Sequence, residues 1–342
     1  MGSDHGEVIG GGMGTQRIIM TLAFTAMSIV SVAGNFHIIY SISSVRKLQT
    51  VANSFLFSLA IADFIVGAVV IPTSIITTIA DRWLAGDVVC DLSAFVDNVT
   101  LTMSMWSLGL LSIERFFLMV FPFRYHTFIS TKSATWLIWV SWFVVAVICL
   151  CPMLGWGEYG YTDTYSCGLQ PVESTPGYYY FPFFCVAAFL PPIAVGTCSY
   201  MAILCVLHEQ RTPKIYSAGT GNERVKRTEV EKQENITACL SVFICLLMMI
   251  LFNLPTVVIG LCAWSRLEIS KIPGELMLFF HIVWYAKSAA NPLVFGLLNK
   301  NFRNEIKKYR LFRICFGKNA AIDNENTFRS SVNSRLPRGG QN

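Results

Sequence analysis

Charge is what this sequence has least of. Only 14% of its 342 residues are Asp, Glu, Lys or Arg, while 54% are hydrophobic; soluble domains carry about 25% charged residues. That ratio argues against an ordinary cytosolic enzyme. Disorder, collagen-like repeats and a small disulfide scaffold are excluded by the same figures. The net charge of +5 is too small to indicate a nucleic-acid binder. Residues 1–17 lack the basic-then-apolar order of a cleaved signal peptide, so the first apolar run is expected to serve as an uncleaved membrane-entry signal. His, Cys and carboxylate residues show neither triad nor metal spacing, so no enzyme and no cofactor is expected.

What is present is apolar sequence in long runs. A helix needs roughly 20 apolar residues to cross about 30 Å of hydrocarbon. Seven stretches qualify, at 18–42, 52–78, 91–120, 133–155, 178–208, 236–264 and 273–296. They are too long for strands and do not alternate. The predicted fold class is therefore all-α and integral to the membrane, a seven-helix bundle. Lys and Arg set its orientation. With the amino terminus outside, four basic residues fall on the outer side and 21 on the inner loops and tail, while Lys287 lies within the last span.

This topology divides the chain into an extracellular segment 1–17, the bundle 18–296, a stretch 297–316 and a tail 317–342. Phe302, Ile306, Tyr309, Phe312 and Phe316 recur at helical spacing among basic residues, which predicts an amphipathic eighth helix on the inner membrane face. The tail is expected to be disordered. Eleven cysteines cannot all pair within one chain. Cys90 and Cys167 alone fall clearly in outward, oxidising positions, and a bridge between them is expected. Cys315 is a palmitoylation candidate.

Landmarks recur span by span. They are Gly34-Asn35, Leu59-Ala60-Ile61-Ala62-Asp63, Cys90 with Glu114-Arg115-Phe116, Trp142 and Pro152, Pro192 and Tyr200, Pro255, and Asn291-Pro292-Leu293-Val294-Phe295. In this order and spacing the chain resembles the rhodopsin-like G-protein-coupled receptors over nearly its whole length. Helical geometry fits that resemblance. At 100° per residue, Asp97, Ser104, Leu108, Leu111 and Arg115 form one stripe, and Asp97 and Arg115 lie roughly 27 Å apart along it. Ionisable groups at membrane depth normally face the bundle interior, so the two mark an outer and an inner site.

The resemblance implies a role for each level. Asp97, seven residues after Cys90, matches the carboxylate that pairs with the ammonium in biogenic-amine receptors, and Tyr285 matches the tyrosine that braces it. Trp284, His281, Leu101, Phe184, Cys185, Asn253 and Thr256 complete the expected ligand site. Asn253, Thr256 and Val257 depart from the amine-receptor pattern of span six, and Phe184, Cys185 and Ala188 stand where catechol-reading serines would be, which disfavours catecholamines.

Asp63, Ser104, Ser288 and Asn291 match the family's sodium-binding cluster. Lys287 shares a helix face with Ser288 and Asn291 and is expected to replace the ion by pairing with Asp63. Glu114, Arg115, Phe116, Tyr200, Pro255 and Phe295 match the G-protein switch, altered because Phe116 and Phe295 replace tyrosines and Asn253 replaces a tryptophan.

The resemblance implies a plasma-membrane receptor for a small cationic amine, coupled to a heterotrimeric G protein. Arrestin and a receptor kinase are candidate partners at Ser330, Ser331 and Ser334, membrane lipids surround the chain, and no nucleic acid is involved. A constitutively active or silent orphan, or a decoy, is the alternative. An opsin relative is disfavoured because Tyr285 stands where opsins carry the retinal lysine. A transporter is disfavoured by the lack of an internal repeat.

Overall fold

The computed structural model describes residues 8–162, 165–170, 177–211, 223–265 and 273–298. Seven long helices account for most of them. The first, α1, is Val8–Ser44. Helix α2 runs Val51–Ala80 with a π turn at Val66–Val70, and α3 is Asp87–Val120. Helix α4, Thr131–Leu150, ends in a 3-10 turn, Cys151–Leu154. Helix α5 joins Tyr180–Phe184, a π turn at Cys185–Phe189, and Leu190–Arg211. Helices α6, Glu223–Trp264, and α7, Gly274–Leu298, complete the set.

Their ends follow from local chemistry. The Thr50 hydroxyl caps α2 by accepting from the Asn53 amide, and Ser130 with Ser133 forms a capping box at the start of α4. Phe121 precedes a proline, which disfavours helical backbone there, and α3 stops at Val120. Helix α6 begins 13 residues before its expected span, because its Glu-, Lys- and Arg-rich start is a strong helix former that continues beyond the apolar core. Helix α1 likewise starts inside the segment expected to lie outside the membrane.

Among the described residues, six helices are long and apolar enough to cross a membrane by length and composition. Helix α7 falls outside that group, its apolar character diluted by His281, Lys287, Asn291 and Pro292, yet it packs against α1 and α6 like the rest. Phe36, Trp139, Phe143 and Leu251 point outward, more than half exposed. Such a surface suits hydrocarbon rather than water.

Lipid tails are as apolar as the side chains, so helix association rests on close packing and interhelical hydrogen bonds of about 0.6 kcal/mol each on average. Gly34 allows the closest approach. A Cβ there would lie 2.6 Å from the Pro292 ring, so only glycine lets α1 touch α7 at that point. Asn35 Nδ2 then donates to the Ser288 carbonyl on α7 at 3.1 Å. Trp142 Nε1 donates to Ser58 Oγ at 3.0 Å, and Ser58 Oγ lies 3.0 Å from Ser107 Oγ, which joins α4, α2 and α3. Each π turn offers a carbonyl to a neighbour, Gly67 to Ser28 Oγ at 2.7 Å and Ala188 to Trp106 Nε1 at 3.2 Å.

Strands β1 (Tyr159–Tyr161) and β2 (Cys167–Leu169) pair antiparallel. The expected disulfide is present between Cys90 and Cys167 and ties this hairpin to α3. Tyr165 adopts a left-handed backbone (φ 60°) in the turn, and its carbonyl accepts from the Thr77 hydroxyl of α2. The hairpin therefore roofs one end of the bundle. The expected eighth helix, Cys315 and the tail serines lie outside the described residues.

Candidate functional site

At the disulfide end, Asp97 of α3 is buried, 8% exposed. Its Oδ2 accepts a hydrogen bond from the Tyr285 hydroxyl at 3.2 Å, and its Oδ1 has no hydrogen-bond partner among the described residues. His281 stands one turn from Tyr285 on α7 with its ring edge-on at 4.9 Å, and its Nε2 is also without a partner. Phe24 of α1 packs edge-on against both, at 6.0 Å from Tyr285 and 5.7 Å from His281. Leu101, Met20, Val66, Val70 and Ile71 complete the apolar wall, and Trp284 and Tyr165 pack against it. Of the residues expected here, Asp97, Tyr285, His281, Leu101 and Trp284 come together.

Phe184 does not join them. It belongs to the main core, stacked on Tyr180 and edge-on to Phe189, with ring centroids 6.0 and 5.7 Å away. Cys185 is half-buried beside it at the start of the π turn, and Thr256 is half-buried on α6. Phe24 and Tyr165 had no motif to flag them. Phe24 belongs to an apolar span with no polar pattern, and Tyr165 to a turn whose position is set by the disulfide.

In the middle of the bundle the Asp63 carboxylate is satisfied twice. Ser104 Oγ donates to Oδ1 at 3.0 Å and Asn291 Nδ2 to Oδ2 at 2.7 Å. Lys287, 1% exposed, is not its ion-pair partner. The ammonium instead donates to Asn253 Oδ1 on α6 at 2.9 Å and sits 4.8 Å from the centroid of the Trp284 ring. The expected Lys287–Asp63 pair is thus corrected. The physical reason is reach: Lys287 lies about 40° around the helix from Asn291, enough for a four-carbon stem to turn toward α6, where Asn253 offers an amide oxygen. Asn253 is held in turn, its Nδ2 donating to the Met249 carbonyl at 2.6 Å.

At the opposite end, Arg115 Nε lies 3.3 Å from Glu114 Oε2. Glu114 Oε1 also accepts from the Tyr125 hydroxyl at 2.6 Å. Tyr125 begins the helical turn Tyr125–Phe128, outside the spans. Burial, followed by the charge of Glu114, pushes its phenol well above the ordinary value, so it stays protonated and able to donate. Tyr200 donates to the Cys239 carbonyl at 3.0 Å, which links α5 to α6. Phe295 is buried in the core, and Phe116 packs edge-on against Phe117 and Phe121. Pro255 lies inside α6 without ending it. A cavity of about 1020 Å³ opens beside Arg115, bounded by Thr50, which caps α2, Asn53 of α2, Tyr125, Asn235 of α6 and Leu298 of α7.

Residues 34–295 match the family model described as 7 transmembrane receptor (rhodopsin family). The chain belongs to that family. It is therefore a multi-pass membrane protein of a non-enzymatic receptor class. An alpha-1A adrenergic receptor of Oryzias latipes is 30% identical over 57% of this chain and 40% of its own length. A neuropeptide Y receptor type 6 of Oryctolagus cuniculus is 25% identical over 93% of this chain and 89% of its own. The chain spans about two fifths of the length of the adrenergic relatives it matches. Among solved structures, squid rhodopsin shares the fold, with a TM-score of 0.79 and 18% identity over 95% of this chain and 93% of the other.

Proposed function

We propose that this receptor responds to a small cationic amine bound at Asp97 and passes the signal to a heterotrimeric G protein at the Arg115 end. In this reading the disulfide end faces outside the plasma membrane. One observation carries it: a buried carboxylate oxygen, Asp97 Oδ1, has no hydrogen-bond partner among the described residues. A charged group in low dielectric is costly until it is paired, and an ammonium that donates to it satisfies charge and hydrogen bond at once. The apolar and aromatic walls formed by Phe24, Leu101, Tyr285 and Trp284 suit the body of such a ligand.

The relatives' names include both an adrenergic and a neuropeptide receptor, so the ligand class rests on Asp97 and not on likeness. Release of Arg115 from Glu114, which Tyr125 holds in turn, would free it toward the adjoining cavity, which suits a receptor that shifts between resting and active populations. Arrestin and a receptor kinase belong to the same reading.

The test is a cAMP and calcium assay in cells with a panel of amines, on wild type and Asp97→Asn. Truncating one partner of a buried charge pair costs about 2–5 kcal/mol, so agonist potency is expected to fall roughly 30-fold to a few thousandfold. An Asp97→Asn receptor that reached the surface and kept full potency would overturn the amine reading.

A further inference from the structure

The least accounted-for group in the molecule is the ammonium of Lys287. It is buried, it is bonded to a neutral amide, and it lies on α7 one turn from Asn291, which holds the buried Asp63, and two residues from Tyr285, which holds the buried Asp97. Ions in this setting are retained only when the surrounding charges compensate them. Counted by formal charge, two carboxylates and one ammonium leave a single uncompensated negative charge.

The cluster where the family resemblance implies a sodium ion does not fit such an ion in this chain. The acceptors are present: Asp63 carries Ser104 and Asn291, and the Ser288 hydroxyl lacks a partner at normal hydrogen-bond length. A fixed positive charge is already in the neighbourhood, however, and a second cation would have to enter against it.

We propose that Lys287 is a tethered internal cation that takes over the electrostatic role of a bound monovalent ion, making the receptor indifferent to sodium, and that its hydrogen bond to Asn253 ties this charge to α6. A diffusible ion would leave α6 free of such a link. Here the cation is part of α7, and its partner Asn253 lies two residues before Pro255, at the one proline inside α6. A ligand amine on Asp97 would then neutralise the one remaining charge. That clause rests on the amine reading above, whereas the sodium proposal does not.

The experiment uses the purified full-length receptor in lipid nanodiscs without any amine, so its failure is separate from failure of the amine reading. Melting temperatures are compared in matched concentrations of sodium chloride and N-methyl-D-glucamine chloride. Wild type and Lys287→Arg are expected to show no sodium-specific shift. Lys287→Ser and Lys287→Gln, which remove the charge, are expected to gain a sodium-specific rise of about 2–4 °C, abolished by adding Asp63→Asn.

A sodium-specific rise in wild type, or neutral variants that fold and show none, overturns the proposal. If the neutral variants fail to fold while Lys287→Arg folds, the charge itself is what the bundle requires, which supports it. The reverse pattern, neutral variants folding where the arginine does not, counts against it.

Discussion

The two ends of the bundle are inverted in shape and in charge. At the disulfide end the chain is roofed over by a hairpin, and the carboxylate beneath the roof keeps one oxygen unpaired. At the Arg115 end a cavity of about 1020 Å³ lies open, yet the charges beside it are paired and further held by Tyr125. At the closed end a carboxylate oxygen has neither an ion-pair nor a hydrogen-bond partner among the described residues, whereas at the open end Arg115 Nε and Glu114 Oε2 have each other as ion-pair partners, though neither atom makes a hydrogen bond. In the function proposed above, a small cation completes the first and a macromolecule enters at the second. This is the asymmetry expected of a device in which binding at one site shifts a population that another site reads.

Removing the roof should have the largest effect. Cys90→Ser with Cys167→Ser is expected to cost about 2–5 kcal/mol, read as lost surface expression and a lower melting temperature. Survival of both would show that the closed end does not depend on the bridge.

Tyr125→Phe attacks the open end by taking a short hydrogen bond from a charged acceptor. A cost of about 2–3 kcal/mol would move the balance between held and released Arg115 roughly 30- to 150-fold, measured as a rise in ligand-free G-protein signalling. Unchanged basal signalling would mean that Tyr125 is packing and not part of the lock.

Tyr285→Phe probes the closed end more gently. Loss of the longer bond to Asp97 is expected to lower amine potency about tenfold, or about 1.5 kcal/mol, and to leave basal signalling alone. Thr77→Val removes the link from α2 to Tyr165 together with the hydroxyl's contacts to the Thr73 and Ser74 carbonyls of its own helix, and should shift the melting temperature least, by the equivalent of about 1 kcal/mol or less.

Helix phase explains what was legible in the sequence. The family resemblance implied that Asp97 meets Tyr285 and that Asp63 meets Ser104 and Asn291, and these contacts form because residues fixed on helix faces keep the direction that a period of 3.6 gives them. The disulfide followed from topology, since so few cysteines lay on the oxidising side. Lys287 was not legible to the same depth. Its backbone direction was clear, but a flexible stem carries the ammonium several ångströms beyond the point that phase determines, and it ended on Asn253. Tyr125 lies in a turn between spans, where no periodicity exists, so its bond to Glu114 had no sequence signal. Phe24 is one aromatic residue in an apolar span, and nothing local distinguishes a side chain that packs on Tyr285 and His281 from one that faces lipid.

The π turns in α2 and α5 carry a consequence for how position is reckoned along these helices. A π turn takes in one residue more than an α turn, so everything beyond it is rotated by about 100° relative to an uninterrupted helix. Counting from Pro192 toward the disulfide end crosses such a turn at Cys185–Phe189. The slip falls on Phe184, which sits in the main core and not beside Asp97. In α2 the same slip separates Asp63 from Thr77, the residue that meets Tyr165. Each of these helices thus has two angular origins, one for the Arg115 end and one for the disulfide end. A substitution meant for the disulfide end of α2 or α5 has to be aimed with the second.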